Sequence, residues 1–292
     1  MIWLTKVLLR LLGWLPESAP YRIARACAGL WMRLSPRKRR VAQANLRVCF
    51  PNLPPAELAQ LLRESFVHYV CSILETGRNR YWPMHRLQDL CDDVEGGDLL
   101  RQAIASGRGV LVLAPHFGAW EYLGLYLQTL FDIAILYKPP AHPGLDKALL
   151  QMRSRAGGKM LPATVTGLRQ LFAHIRAAKV AAMLPDQQPS SGQGQFAPFF
   201  GVPALTGVLA PRLVRKTGCT ALLFACERLE NGHYCIHVMP ADEGICSSDM
   251  DAALLAINHG VEKCIAIDPA QYLWSYKRFR SRRDGDPPIY GQ

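Results

Sequence analysis

Apolar residues along the chain keep two rhythms, and the change from one to the other marks a change of element. Through the first third they recur every three or four positions. Trp3, Leu4, Val7, Leu8, Leu11, Leu12, Trp14 and Leu15 form one such stretch, closed by Pro16; residues 21–34 form a second. A third helix begun near Arg39 ends by Pro51. Pro54, Pro55 and Glu57 then open a fourth, over 54–76, in which Leu58, Leu61, Leu62, Phe66, Tyr69, Val70 and Ile73 keep the helical period. After a turn at 95–98 and a helix over 99–106, the pattern becomes short and continuous. Residues 110–114, 133–136, 179–184 and 221–225 each read as a buried strand bounded by Gly, Pro or polar residues.

Helical patterns such as 168–178 separate these runs, as strand–crossover–strand units require. Glu230-Asn-Gly-His233, lying between 222–225 and 234–238, has the composition of a hairpin turn and predicts one antiparallel edge. The expected fold is α/β, a mostly parallel central sheet flanked by helices with an apolar N-terminal helical segment. The expected division is residues 1–40 as a membrane-associated segment and 41–292 as the α/β domain.

Charge sharpens the reading of the N-terminus. Lys6 and Arg10 fall one turn apart inside the first apolar stretch. That leaves it short of the ~18 uninterrupted apolar residues of a spanning helix, and no basic run precedes it as in a cleaved signal peptide. An interfacial helix with Trp anchors and snorkelling cations fits this pattern; an amphipathic helix docked on the body is the alternative. Pro36-Arg-Lys-Arg-Arg40 follows closely, and apolar helix plus basic cluster is how binding to an anionic membrane is written in sequence.

The chain has 292 residues, half of them hydrophobic, which suffices for a large core and excludes disorder. Its net charge of +11 calls for a polyanionic partner: nucleic acid, an anionic membrane or an acidic protein. Nucleic acid is set aside, because basic residues are not interleaved with stacking aromatics. Nine cysteines with no C-x-x-C pair read as reduced core residues.

Candidate chemistry gathers where the strands end. The run 110–114 stops at Pro115 and His116, with Glu121 five residues on, at the start of a helix read from Phe117. Residues five apart in a helix point roughly 140° away from each other, so the two meet only if His116 lies outside it. A carboxylate on one imidazole nitrogen would make the other a general base; the alternative is a capping histidine with Glu121 facing solvent. Groups outside the carboxyl ends of parallel strands share one crevice, which makes His116, Lys138, Asp186 and Glu227 candidates together. No metal is expected, since none of the eight histidines has a second ligand at a spacing such as H-E-x-x-H. A Gly-x-Ser-x-Gly elbow is likewise absent.

With His116 and Glu121 in the form H-x-x-x-x-E after a strand, the chain resembles the lysophospholipid acyltransferase superfamily. Further segments narrow this to its lipid A late acyltransferases, the lauroyl and myristoyl transferases of Gram-negative bacteria. They are 44–51 (ANLRVCFP), 113–121 (LAPHFGAWE), 137–139 (YKP), the glycines after Arg153 and Arg155, 186–189 (DQQP), 196–201 (FAPFFG), and 269–274 (PAQYLW) followed by 278–280 (RFR). Their order and spacing cover about residues 40–280. Lys138 stands where the family often has arginine, which loses the bidentate fork, and aspartate is the commoner last residue of the motif in the wider superfamily.

The resemblance implies transfer of a fatty acyl chain from acyl carrier protein to a hydroxyl of a lipid A precursor of the Kdo-lipid IVA type. The place would be the cytoplasmic face of the inner membrane, and no cofactor would be needed. It makes His116 the general base and Glu121 its orienting partner. Arg153 or Arg155 would bind a phosphate or the developing oxyanion, Asp186 would be a positioning carboxylate, and Lys138 a phosphate contact. Arg278, Arg280, Arg282 and Arg283 would receive the carrier protein or sugar phosphates, or form a solvated tail. Phe196, Phe199 and Phe200 would line an acyl channel or lie in the core, where Trp274 is also placed. Two rivals stand beside acyl transfer: a hydrolase in which His116 activates water on a thioester or ester, and a membrane-associated scaffold without chemistry.

Overall fold

The computed structural model describes residues 2–140, 143–190 and 192–291. The chain begins with a helical layer: α1 (Ile2–Gly13), α2 (Ala19–Leu34), α3 (Pro36–Cys49), α4 (Pro55–Leu74), α5 (Thr76–Tyr81) and α6 (Met84–Gln88). Strands and helices then alternate as β1 (Cys91–Glu95), α7 (Gly97–Ala105), β2 (Val110–Leu113), α8 (Trp120–Leu130), β3 (Ile133–Tyr137), α9 (Pro143–Arg153), β4 (Lys159–Pro162), α10 (Val165–Arg176) and β5 (Val180–Met183). A hairpin of β6 (Gly194–Phe199) and β7 (Val202–Gly207) leads to α11 (Leu209–Thr217), β8 (Thr220–Arg228), β9 (Tyr234–Pro240) and α12 (Met250–Ile267).

Seven strands make one sheet in the order β1-β9-β8-β2-β5-β3-β4. β2 lies at its centre, parallel to β5 on one side and to β8 on the other. Both its faces are covered, which is why its residues are continuously apolar. Val110 and Val112 pack with Tyr122, Leu123 and Leu127 of α8 in one core, while Leu111 and Leu113 pack with Leu171, Leu213 and Ile257 of α10, α11 and α12 in another. β3 and β4 were reached from β2 in one direction and β8 lies in the other, so the end of β2 is the switch point at which an open α/β sheet forms its crevice.

A third core joins the N-terminal layer to the end of the chain. Ala24, Leu46, Leu62, Phe66 and Val70 pack with Tyr272, Trp274 and Phe279. The expected boundary at residue 40 falls inside α3, whose later residues Ala42, Leu46 and Cys49 lie in this core. α1 docks by close backbone approach: a Cβ on Gly77 would sit 2.4 Å from the Gly13 nitrogen, and the Trp82 indole N–H donates to the Gly13 carbonyl at 2.6 Å. Leu8, Leu11 and Trp14 stay exposed, Trp14 by 79%. The side chains of Trp3, Leu4 and Lys6 lie outside the described residues. Among the described residues no helix is long and apolar enough to cross a membrane.

The sheet differs from expectation at its margins. β8 and β9 form the antiparallel hairpin, but β9 is not the edge, because β1 pairs outside it in parallel. β1 reads Cys-Asp-Asp-Val-Glu and β4 Lys-Met-Leu-Pro, too polar or too short to show the strand pattern. Edge strands pair on one side only, and within these two only Leu161 is buried.

Candidate active site

Beyond β2 the chain leaves the sheet through Ala114 and Pro115, and α8 begins only at Trp120 rather than at Phe117. The intervening loop is held by backbone partners on two sides. Leu273 N–H donates to the His116 carbonyl at 3.0 Å, Gly118 N–H to the Gln271 carbonyl at 3.0 Å, and Ala119 N–H to the Cys226 carbonyl at 2.8 Å. Gly118 has φ +53°, and a Cβ there would meet the Cys226 oxygen at 1.9 Å, so only glycine fits. From below, Arg228 Nη2 donates to the Gly118 carbonyl at 3.1 Å while both oxygens of buried Glu75 hold its guanidinium at 2.7 and 2.9 Å.

The imidazole presented by this loop meets Asp186, which follows β5. His116 Nδ1 lies 2.8 Å from Asp186 Oδ1, and the backbone N–H of His116 donates to Oδ2 at 2.9 Å. Asp186 is buried. Burial alone would raise its carboxyl, but the attraction and hydrogen bonds of His116 outweigh this and hold it below the usual aspartate range. As an ionised carboxylate it only accepts, which assigns the proton of neutral His116 to Nδ1 and leaves a lone pair on Nε2. The Gln187 amide nitrogen sits 3.0 Å from Nε2 and donates to it. The Trp120 ring flanks the imidazole at 5.5 Å.

The expected contact between His116 and Glu121 is not made. Glu121 stands in the first turn of α8 and takes Arg153 instead, with Nε to Oε2 at 2.9 Å and Nη2 to Oε1 at 2.5 Å, a two-point pair about a quarter exposed. Gln128 fixes the turn after Arg153: its amide donates to the Arg153 carbonyl at 2.7 Å and its oxygen accepts from Gly158 N–H at 2.9 Å. A Cβ on Gly158 would lie 2.4 Å from Gln128 Cγ, which accounts for a glycine there.

Other candidates separate from this centre. Arg155 donates to the Asn79 carbonyl at 2.7 Å and to the Trp82 carbonyl, so its guanidinium is engaged in tying the turn to α5 rather than facing a ligand. Lys138 is exposed just past β3. Glu227 bonds His237 at 2.8 Å on the β8–β9 face and does not join the crevice. Arg278, expected on a docking surface, is buried: it donates to the Leu205 carbonyl at 2.7 Å, Thr206 Oγ1 at 2.9 Å and Asn258 Oδ1 at 3.2 Å. Arg280 and Arg283 remain exposed. Phe199 lies in the third core with Phe200 packed against it, as does Trp274.

Residues 1–281 match the bacterial lipid A biosynthesis acyltransferase family. The chain belongs to it. It is 27% identical over 293 residues to the lipid A biosynthesis lauroyltransferase of Escherichia coli (strain K12), covering 99% of this chain and 94% of that protein. The palmitoleoyltransferase of the same organism is 27% identical over 256 residues, 87% of this chain and 82% of its own length. Its myristoyltransferase is 23% identical over 260 residues, 88% of this chain and 80% of its own length. The three differ in the acyl group they are named for.

Two parts of this acyltransferase's site escaped the sequence reading. Gln187 was visible only as one letter of 186–189, with nothing to set it apart from Gln188. Gln188 is structural: its amide donates to the Arg278 carbonyl and its backbone N–H to the Tyr276 hydroxyl, both at 3.0 Å. The Glu75–Arg228 support for the loop joins residues 153 positions apart, which no local pattern signals.

Proposed function

We propose that this lipid A acyltransferase moves a fatty acyl chain from acyl carrier protein to a hydroxyl of a Kdo-lipid IVA-type precursor, with His116 as general base. The observation that carries the mechanism is the His116–Asp186 contact, which leaves the Nε2 lone pair facing only the Gln187 amide. The acceptor hydroxyl replaces the Gln187 amide at Nε2, loses its proton there, and its oxygen attacks the thioester carbonyl. Collapse of the tetrahedral intermediate breaks the C–S bond, and the proton on His116 passes to the departing thiolate. Asp186 holds the imidazolium formed between these steps. A thioester is reactive enough that positioning and a base suffice without an acyl-enzyme. Glu121 acts one step removed, by holding Arg153 extended as a charged donor for phosphate or oxyanion.

The acidic carrier suits a chain with 34 Lys and Arg against 23 Asp and Glu. Exposed Leu8, Leu11, Trp14, Leu30 and Leu34, followed by Arg37–Arg40, support attachment to the cytoplasmic face of the inner membrane by lying on it. Incubation with acyl carrier protein thioester, with and without tetraacylated precursor, tests the reading by product mass. An added acyl chain on the precursor is expected; free fatty acid alone would make the protein a hydrolase.

A further inference from the structure

Away from the histidine crevice, three neighbouring strands bring an unusual set of donors together on one face. Cys235 and His237 stand two apart on β9 and so point the same way. Glu95 of β1 is directly opposite His237, and Glu227 of β8 directly opposite Cys235. Glu95 Oε2 lies 2.8 Å from His237 Nδ1 and Glu227 Oε2 lies 2.8 Å from His237 Nε2. One ligand atom from each of Glu95, Cys235 and His237 lies within 4.8 Å of the others. The acyl-transfer steps use none of these residues.

We propose that Glu95, Cys235 and His237 form a binding site for a divalent transition-metal ion of the zinc type. Sulfur, imidazole nitrogen and one carboxylate oxygen are a zinc donor set, too soft for Mg²⁺ or Ca²⁺. Tetrahedral zinc with bonds of about 2.0–2.3 Å separates its ligands by roughly 3.3–3.8 Å, so the three donors need to move by less than an ångström or so. Nδ1 is the ligating nitrogen, because Glu95 already stands beside it. Glu227 then keeps its hydrogen bond to Nε2–H, the carboxylate–histidine–metal arrangement that fixes ring orientation. The fourth position faces solvent past Glu95, whose side chain is 60% exposed.

Without a cation the thiol keeps its proton: burial, and then the charges of Glu95 and Glu227, push Cys235 up to about 11. Metal binding forms S–metal and Nδ1–metal bonds and releases to solvent both the thiol proton and the proton that Nδ1 shares with Glu95, while the cation relieves the two carboxylates. The site would clip the edge strand β1 to β9, where pairing is already irregular between Cys91 and Asp93. The expectation of no metal rested on spacing along the chain, whereas this cluster is made by register across strands.

The test uses full-length protein stripped with a chelator and titrated with ZnCl₂ or CoCl₂. One ion per chain is expected, with a thiolate-to-cobalt absorption band and a higher Tm in the loaded protein. Cys235→Ser should abolish the band, and Glu227→Gln should weaken zinc binding by about 10- to 100-fold. Glu95→Gln, at an exposed position, should also weaken it. Binding that survives both Cys235→Ser and Glu95→Gln, or no stoichiometric uptake by the unaltered chain, overturns the proposal.

Discussion

Two ion pairs lie five residues apart along the chain, and they are built for different work. His116 meets Asp186 across the parallel strands β2 and β5; the carboxylate is 2% exposed, and one of its oxygens holds the ring while the other accepts from the His116 backbone N–H. Glu121 meets Arg153 across α8 and α9, with both side chains about a quarter exposed. The first pair can fix a tautomer and neutralise an imidazolium, because its partner is a buried acceptor that never leaves. The second offers the fixed cation of Arg153. The family motif joins His116 and Glu121 in one string of letters, yet the structure gives each its own partner.

That division can be broken experimentally, and the base comes first. His116→Ala should lower kcat by about 10²- to 10⁴-fold while the chain still folds. Asp186→Asn should fall in the same range, since an amide can donate to Nδ1 and drive the proton to Nε2. Steady-state rates with carrier-protein thioester measure both, and a near-normal Asp186→Asn enzyme would return the orienting role to Glu121.

Glu121→Gln should cost less, on the order of tenfold, as expected for a charged hydrogen bond worth about 1.5 kcal/mol or more, and mostly in KM if Arg153 grips substrate equally in ground and transition states. Combining it with Arg153→Met should cost no more than Arg153→Met alone, because the pair acts as one unit. Additive losses in this double-mutant cycle would mean that Glu121 works independently of Arg153.

The smallest effect concerns stability and a contrasting imidazole. His68 has a cation where His116 has an anion: Arg228 Nη1 is 3.2 Å from its Nδ1. Burial first, and then the Arg228 charge, push His68 down to about 3, against the opposing pull of Glu75. The folded protein therefore refuses a proton that the unfolded chain accepts below the ordinary value of 6.5. Stability from this group is complete above that value and declines as pH falls toward 3. Urea midpoints followed from pH 7 to pH 4 should fall less steeply in His68→Gln; an identical slope would show that His68 does not contribute.

What the sequence disclosed and what it withheld follow one physical line. β2, β3, β5, β8 and the helices between them announced themselves because both sheet faces are buried, which forces continuous apolar runs. His116 stood out because it ends such a run. Asp186 was marked by the same rule, as a group at the end of a strand, but not as the direct partner, since it comes seventy residues later and the pairing depends on the parallel register of β2 and β5. Arg278 looked like a surface cation because charge is usually exposed; three oxygen acceptors from β7 and α12 let it be buried. β1 was hidden by its polarity and β4 by its length of four residues.

The loop carrying His116 takes two of its backbone hydrogen bonds from Gln271 and Leu273, in the segment that follows α12. During synthesis every titratable group of the crevice has left the ribosome long before those two residues exist. Until they are made, the loop that presents His116 lacks two of the hydrogen bonds that hold it, whatever the state of the sheet. A fragment stopping short of Gln271 would contain His116, Glu121, Arg153 and Asp186, yet lack the strap that aligns the first of them.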